Sequence, residues 1–497
     1  MHRAFQNMRP RHGAKAGVAL TLTFALSGCL SPAVLRLPSL PSADAALRAR
    51  ASAIQDEPAL SEEAAPSEWW MLLNDATLSE LQTEAASTSL DMQSAAARIE
   101  ESRAQLGLVD AARRPQIASE GAYARSALSE YSPFALLGAP TAPVITWTLG
   151  MQAGWELDLW GRLRQQSESA EARLQASVYG MDTVRVSVAG DIARTYLLLR
   201  GAQAQMKIVE ENRQIAGNML RLAESRQRNG VATRFDAAAA RADRAGIEAR
   251  LSQLQQQRDA LMNTLALLLG QAPRELNGRL ADSSLPTMPR RLPIGVPSEL
   301  ARNRPDILQA ESRLRAAVAD IGAAKADFYP RVSLTGSFGF QTLDFSDLGS
   351  WDSRRFSVGP ALHLPIFQGG RLQSNLALSE TRHRLAAIAY RQTVLRAWHE
   401  VDDALTAYST ELKRHTQLQL ALSQNRTALD VAQRSYQQGT ADFTAVLVAQ
   451  RSLLSSQSEL TSCATASALS VVALYRALGG GWSSALRIDT ALAGGTP

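Results

Sequence analysis

Residues Ile145 to Leu159 read Ile-Thr-Trp-Thr-Leu-Gly-Met-Gln-Ala-Gly-Trp-Glu-Leu-Asp-Leu. Ile145, Trp147, Leu149, Met151, Ala153, Trp155, Leu157 and Leu159 share one parity, and Thr146, Thr148, Gly150, Gln152, Gly154, Glu156 and Asp158 the other. A period of two puts alternate side chains on opposite faces of a strand, one oily and one wet. The pattern returns at Val332, Leu334, Phe338 and Phe340 against Ser333, Thr335, Ser337, Gly339 and Gln341. It returns again at Phe356, Val358, Leu362, Leu364 and Ile366 against Ser357, Gly359, Ala361 and His363, and a weaker copy starts at Ile117 and passes through Tyr123. One such strand reads as half of a soluble antiparallel sheet. Two pairs of them, interrupting an otherwise helical chain, read as membrane strands, which need about 9 to 11 residues each.

Single-chain membrane barrels use at least about eight strands, so four imply a pore shared between copies. Three copies would supply about twelve strands, more than the roughly eight whose interior side chains fill. A dimer or a tetramer also satisfies the count.

The segment 1–28 carries Arg3, Arg9, Arg11 and Lys15, then an apolar run from Val18 to Leu26, and no acid. That is a secretory signal layout, too short to span a bilayer as a helix. Leu26-Ser27-Gly28-Cys29 closes the run and resembles a bacterial lipobox, in which Cys29 becomes the acylated first residue of the mature chain. Leu30 follows, not an aspartate of the kind that signals inner-membrane retention, so the resemblance implies outer-membrane sorting. Each acyl chain contributes roughly 0.8 kcal/mol per buried CH₂.

Charge changes meaning once the signal is set aside. The whole chain carries +5, but four of its 52 basic residues lie in the signal, leaving 48 against 47 acids. No basic tail points to nucleic acid. After Cys29 the sole cysteine is Cys463, in a helical stretch rich in small residues, where packing is its expected role. Residues 29–67, rich in Ala, Pro and Ser, read as a tether from lipid to body, and residues 483–497 as a flexible tail.

The chain between 68 and 482 reads as two repeats offset by about 209 to 215 residues. Repeat one (68–290) holds a strand pair at 116–130 and 143–159 and a hairpin at 160–270. Repeat two (291–482) holds a helix at 305–328, a strand pair at 331–343 and 355–367, and a hairpin at 370–478. Arg114-Pro115 matches Tyr329-Pro330, Gly161-Arg162-Leu163 matches Gly370-Arg371-Leu372, and Gly230 matches Gly439. No proline occurs between Trp160 and Asn229 or between Arg371 and Gln438. At 1.5 Å per residue each such stretch makes a continuous helix of about 100 Å. Gly230 and Gly439 fit the left-handed residue that closes a helix, after which a second helix runs back. Sparse large apolar residues among many Ala, Gln and Ser suit close helix packing around a wet interior.

These residues reach a family. Arg304-Pro305-Asp306 with Ala310-Glu311, the run Trp155 to Leu163, the run Leu364 to Leu372, and Leu474-Tyr475-Arg476-Ala477-Leu478-Gly479-Gly480-Gly481-Trp482 resemble the outer-membrane factor, or TolC-like, family. The resemblance covers about Trp69 to Trp482 and is closest to the NodT-like efflux lipoproteins. It implies a mainly α chain with a membrane β-barrel part, four transmembrane strands and long antiparallel helical hairpins per protomer. It further implies a homotrimer with a 12-strand barrel and a 12-helix periplasmic tunnel, set in outer-membrane lipid. The implied partners are a periplasmic adaptor protein and an inner-membrane pump of the RND type. No cofactor is implied.

The hairpin ends hold the expected adaptor contacts, Asn229, Gly230, Val231 and Thr233 in one repeat and Gln438, Gly439 and Thr440 in the other. Asp236, Asp430 and Asp442 are candidate gate residues, since rings of like charge can hold or block a constriction. The family usually carries an aspartate at the position of Asp236, whereas the second repeat has Ala445 there, which argues against symmetrical roles.

An enzyme is not supported. The sequence has no G-x-S-x-G, G-x-x-x-x-G-K or H-E-x-x-H, and His363, His383, His399 and His415 lack metal-ligand spacing. The expected function is an outer-membrane channel that passively conducts small molecules from a tripartite pump. Two other readings fit parts of the chain: the conduit of a type I protein or peptide secretion system, and a lipid-anchored coiled-coil spacer without a pore.

Overall fold

The computed structural model describes residues 60–61, 63, 65–231, 233–281, 283–289, 291–295 and 304–480. The signal segment, Cys29, nearly all of the tether, Trp482 and the tail lie outside these residues. The described residues divide into two units, one within 106–170 and 315–384, the other within 60–105, 171–295, 304–314 and 385–480.

The first unit is organised by one antiparallel meander of four strands: β1 (Gln116–Ser126), β2 (Val144–Leu157), β3 (Arg331–Thr342) and β4 (Arg354–His363). Its register lines up the apolar parity of every strand. Tyr123 lies opposite Trp147, Met151 opposite Phe338, Trp155 opposite Leu334, and Phe338 opposite Phe356. A slip of one residue anywhere would turn a whole strand inside out, so the pattern itself selects this register. The first strand ends at Ser126, and the fourth at His363, short of the expected Phe367. Pro365 has no N–H for a ladder, and the fourth strand ends two residues before it.

The second unit is helical. α1 (Ala76–Thr88) and α2 (Leu90–Ala111, which continues into the first unit) precede the sheet. The hairpins are α3 (Arg162–Arg228) with α4 (Arg234–Leu268), and α6 (Arg371–Gln437) with α7 (Phe443–Ala477), while α5 (Pro305–Ala326) leads into β3. The outgoing helices are 67 residues each and the returning ones 35, with every boundary shifted by 209 between repeats.

All four hairpin helices end alike. Gly230, Gly270, Gly439 and Gly479 each have positive φ, between 71° and 77°. Behind the first, Val231 N–H donates to the Arg226 carbonyl and Gly230 N–H to Gln227; Thr440 and Gly439 repeat this on Ser435 and Tyr436. These paired bonds satisfy carbonyls that a helix end would otherwise leave open.

The main core of this unit gathers Trp69, Leu78, Leu81, Ile192, Tyr196, Leu265, Leu269, Val401, Val471 and Tyr475. Trp69 stacks on Tyr475 with ring centroids 5.3 Å apart. The Tyr196 hydroxyl donates to Asp75 at 2.7 Å, and burial, reinforced by Asp75, pushes its pKa up to about 12. α7 is long and apolar enough to cross a membrane by composition. Val446, Leu453, Cys463, Ala468, Val471, Leu474 and Tyr475 are buried along it, so it is a core helix. Cys463 packs as its surroundings suggested: its thiol donates to the Glu411 carboxylate at 3.3 Å, and burial, then Glu411, raises its pKa to about 11.

Helices α3 and α7 approach closely at Gly201, where a Cβ would stand 2.5 Å from Thr465 Oγ1 and 2.8 Å from its Cγ2. Overpacking of this kind destabilises by about 1–3 kcal/mol. Gly201→Ala is therefore expected to lower the thermal unfolding midpoint of the detergent-solubilised protein, with Thr465→Ala recovering more than half of the loss.

Candidate conduit surfaces and hairpin tips

Two surfaces carry the chemistry: the two faces of the strand sheet in the first unit and the hairpin turns in the second. On the sheet, the oily face is uncovered within the chain. Ile117, Met151, Phe338, Phe356, Val358 and Leu362 are all exposed. A contiguous apolar sheet face is not left to water. From Ile145 to Leu157 the band on β2 runs twelve residues, about 40 Å along the strand, which a tilt near 45° reduces to about 28 Å. That is close to the roughly 25 Å apolar band of outer-membrane barrels.

Aromatic clusters mark both ends of the band. At the loop end Tyr123, Trp147 and Phe345 pack at 4.6 and 4.9 Å. At the helix end Trp155 Nε1 donates to the Arg113 carbonyl at 2.9 Å. Trp160 there stacks on Tyr329 at 5.0 Å and donates to the Pro330 carbonyl at 2.7 Å. Amphipathic rings at two heights are the signature of bilayer interfaces.

The opposite face is wet and concave. Gln152, Glu156, Ser333, Thr335, Ser337 and Arg355 line a recess of about 870 Å³. Its polar groups bond to one another: Gln152 to Glu120 at 2.5 Å, and Arg355 to Gln341 at 2.6 Å. Glycines Gly150 and Gly339 face each other across β2 and β3, so close that a Cβ on Gly339 would lie 2.5 Å from the Leu149 carbonyl oxygen. His363 has this wet parity, opposite Arg331.

The run Trp155 to Leu163 is the elbow joining sheet to long helix. Asp158 accepts from the backbone N–H of Leu163 at 3.0 Å and of Arg164 at 2.7 Å, which caps α3, while Glu156 pairs with Arg162 at 2.8 Å. Gly161 takes a φ of 74° at the corner. Each conspicuous residue of the motif thus has a structural task. In Arg304-Pro305-Asp306, the buried guanidinium binds Asp306, Glu400 at 2.7 Å and the Ala477 carbonyl at 2.8 Å, tying α5 to α6 and α7.

The hairpin turns place Asn229, Gly230, Val231 and Thr233 in one tight connection and Gln438, Gly439 and Thr440 in the other. Thr233 caps α4, and with Asp236 it forms a reciprocal capping box, Thr233 N–H to Asp236 at 2.9 Å and Asp236 N–H to Thr233 at 3.3 Å. Asp430 pairs with Arg434 one turn away at 2.5 Å on an exposed helix face. Asp442 stands at the N-cap of α7 without a side-chain capping bond. The three aspartates are therefore not equivalent.

Sequence reading missed the groups that link the two hairpins. Arg226 lies over the Tyr436 ring at 4.5 Å, and Tyr436 packs on Phe443 at 5.4 Å within a small core of Ala223, Ala240, Leu429 and Val446. Arg451 pairs with the nearly buried Asp243 at 2.8 Å. The repeat offset of 209 puts Arg226 and Tyr436 within one residue of equivalent positions, a signal that they share a height.

Residues 81–271 and 296–480 match the family profile described as outer membrane efflux protein. The chain is 32% identical over 474 residues to outer membrane protein OprJ of Pseudomonas aeruginosa, covering 93% of this chain and 95% of OprJ. It is 31% identical over 472 residues to the pyoverdine export outer membrane protein OpmQ of Pseudomonas putida, covering 94% and 97%. The solved outer-membrane channel OprN superimposes with a TM-score of 0.82 at 34% identity, covering 86% of this chain and 96% of that one.

Loss of an N-cap hydroxyl costs about 1 kcal/mol. Thr233→Ala is expected to accelerate amide hydrogen exchange in the first turn of α4 severalfold, without a matching change at the start of α7, which has no side-chain cap to lose.

Proposed function

Because the chain belongs to the outer membrane efflux protein family, it is an outer-membrane component of an efflux system, and we propose how its surfaces serve as the conduit. Three copies close their sheets into a 12-strand barrel with the oily face to lipid and the wet recess to the lumen, and their hairpins assemble a 12-helix periplasmic tunnel. The observation that carries this reading is the four-stranded meander, whose edges are unpaired and whose apolar face is uncovered among the described residues. In a bilayer an open sheet edge cannot stand, because no water is present to bond its N–H and C=O groups.

The lumen is lined with Gln, Ser, Thr and Gly and with Glu120, Glu156 and Arg355, whose charges are engaged by Gln152, Arg162 and Gln341, so that the face holds water and offers little that would select one solute from another. Small molecules such as drugs and toxic compounds therefore pass passively, chosen by the inner-membrane pump. The chain itself supplies no energy and no chemistry. OpmQ is a pyoverdine export protein by name, and whether this chain carries a related cargo depends on the pump beside it.

The turns at Asn229 to Thr233 and Gln438 to Thr440 meet the periplasmic adaptor. Val231, whose backbone N–H closes the helix end on Arg226, offers its exposed side chain there. Asp236, Asp430 and Asp442 line the inner constriction, with Asp236 doubling as a helix cap. Acylation of Cys29 anchors the N-terminal tether in the same membrane.

A Val231→Cys variant carrying a maleimide photo-crosslinker is expected, in cells, to capture an adaptor protein identified by mass spectrometry. Capture of the adaptor from Leu108→Cys instead, with none from Val231→Cys, would move the contact away from the tips.

A further inference from the structure

The two strand hairpins are copies of each other down to the pairing of individual residues. Gln116 lies opposite Gly154 in the first and Arg331 opposite His363 in the second. The shift is thus 215 residues from β1 to β3 and 209 from β2 to β4. These equal the shifts between Pro115 and Pro330 and between Gly161 and Gly370, so no residue is inserted between the anchors at either end.

Between the hairpins lies the one pairing that joins repeat one to repeat two, β2 with β3. It sets Gly154 opposite Thr335, Leu157 opposite Val332 and Met151 opposite Phe338. The remaining edges, β4 and β1, have no partner among the described residues. They are the repeat equivalents of β2 and β3.

We infer that β4 of one copy pairs antiparallel with β1 of the next in the register obtained by applying these two shifts to the internal β2–β3 junction. The proposal rests on the oligomeric barrel described above and adds its residue-level seam. Gly154 opposite Thr335 becomes His363 opposite Glu120. Leu157 opposite Val332 becomes Ile366 opposite Ile117, and Met151 opposite Phe338 becomes Pro360 opposite Tyr123.

Three features fit this register. First, it keeps parity, as the hairpin pairings require: Pro360 and Tyr123 both belong to the oily face, and His363 and Glu120 both to the wet one. Second, Ile366 and Ile117 are 90% and 72% exposed, whereas their internal counterparts Leu157 and Val332 are half-buried, so the seam covers what the isolated chain leaves open. Third, the wet face gains a complementary pair. Glu120 already accepts from Gln152, and a directly opposite His363, with Cβ atoms about 4.5–5.5 Å away, donates an imidazole N–H to the same carboxylate. On its own chain His363 lies opposite Arg331, itself paired with Asp327 at 2.6 Å, so that arginine is already engaged.

The register also sets Leu364 to Ile366, which follow the end of β4, beside Ile117 to Ser119 of the neighbour, where Pro365 offers the seam a carbonyl but no N–H.

The test is a scan of paired cysteines treated with a short bis-methanethiosulfonate reagent in outer membranes, read as dimer and trimer bands after denaturation. Glu120→Cys with His363→Cys is expected to crosslink at least fivefold more than Ala118→Cys or Ala122→Cys with His363→Cys, each displaced by about 7 Å along the strand. Ile117→Cys with Ile366→Cys supplies a second readout on the opposite face, where no polar pair is disturbed. A maximum at a displaced pair, with the trimer intact on gentle detergent extraction, would overturn the register while leaving the oligomeric barrel standing. A monomer that crosslinks at no pair would overturn both.

Discussion

A backbone N–H inside a bilayer has only another backbone to donate to. Everything distinctive in this chain follows from meeting that requirement with four strands instead of eight or more. The meander satisfies its inner ladders internally and leaves two edges, Gln116–Ser126 and Arg354–His363, whose bonding groups have to be met by other copies. Association is thereby built into the folding of the membrane part, since each chain's sheet is incomplete alone. The uncovered oily face has the same logic, being stable only against lipid.

The helical unit solves a different problem. A helix closes its backbone bonds within itself, so 67 residues can run without a partner strand, provided that the ends are satisfied and the faces packed. The ends are met by four glycine turns of one design. The faces are packed with alanine, serine and glycine, as at Gly201 against Thr465, which lets axes come close without a thick apolar seam. Large side chains are concentrated at the cluster around Trp69, Tyr196 and Tyr475 and at the smaller one around Tyr436 and Phe443. Both clusters draw residues from both repeats, so they hold the hairpins together at two heights, with a smaller apolar cluster of Val209, Ala216 and Ile247 between them.

The family motifs acquire physical meaning in this setting. Glu156, Asp158, Trp160, Gly161 and Arg162 build a corner where an extended chain must become a helix within a few residues, and Arg304 welds three helices with charge-assisted bonds. These residues make up the frame of the chain.

Much of this was legible in the residue order. Period-two alternation fixed strand identity, face and parity, because a strand's side chains have no other way to alternate. The proline-free stretches and Gly230 and Gly439 located the long helices and their turns, because only glycine takes a positive φ freely. Repetition at 209 residues told which positions correspond. What the order of residues did not contain was contact between helices. Arg226 over Tyr436, Arg451 with Asp243, and the different duties of Asp236, Asp430 and Asp442 depend on how each helix is rotated about its own axis, which side-chain packing sets. Nor did it show that the fourth strand stops at His363 in a single chain. Local pattern determines what an element is and which face is oily; only the tertiary structure decides which side chains meet, because that choice is made by packing between segments some 200 residues apart.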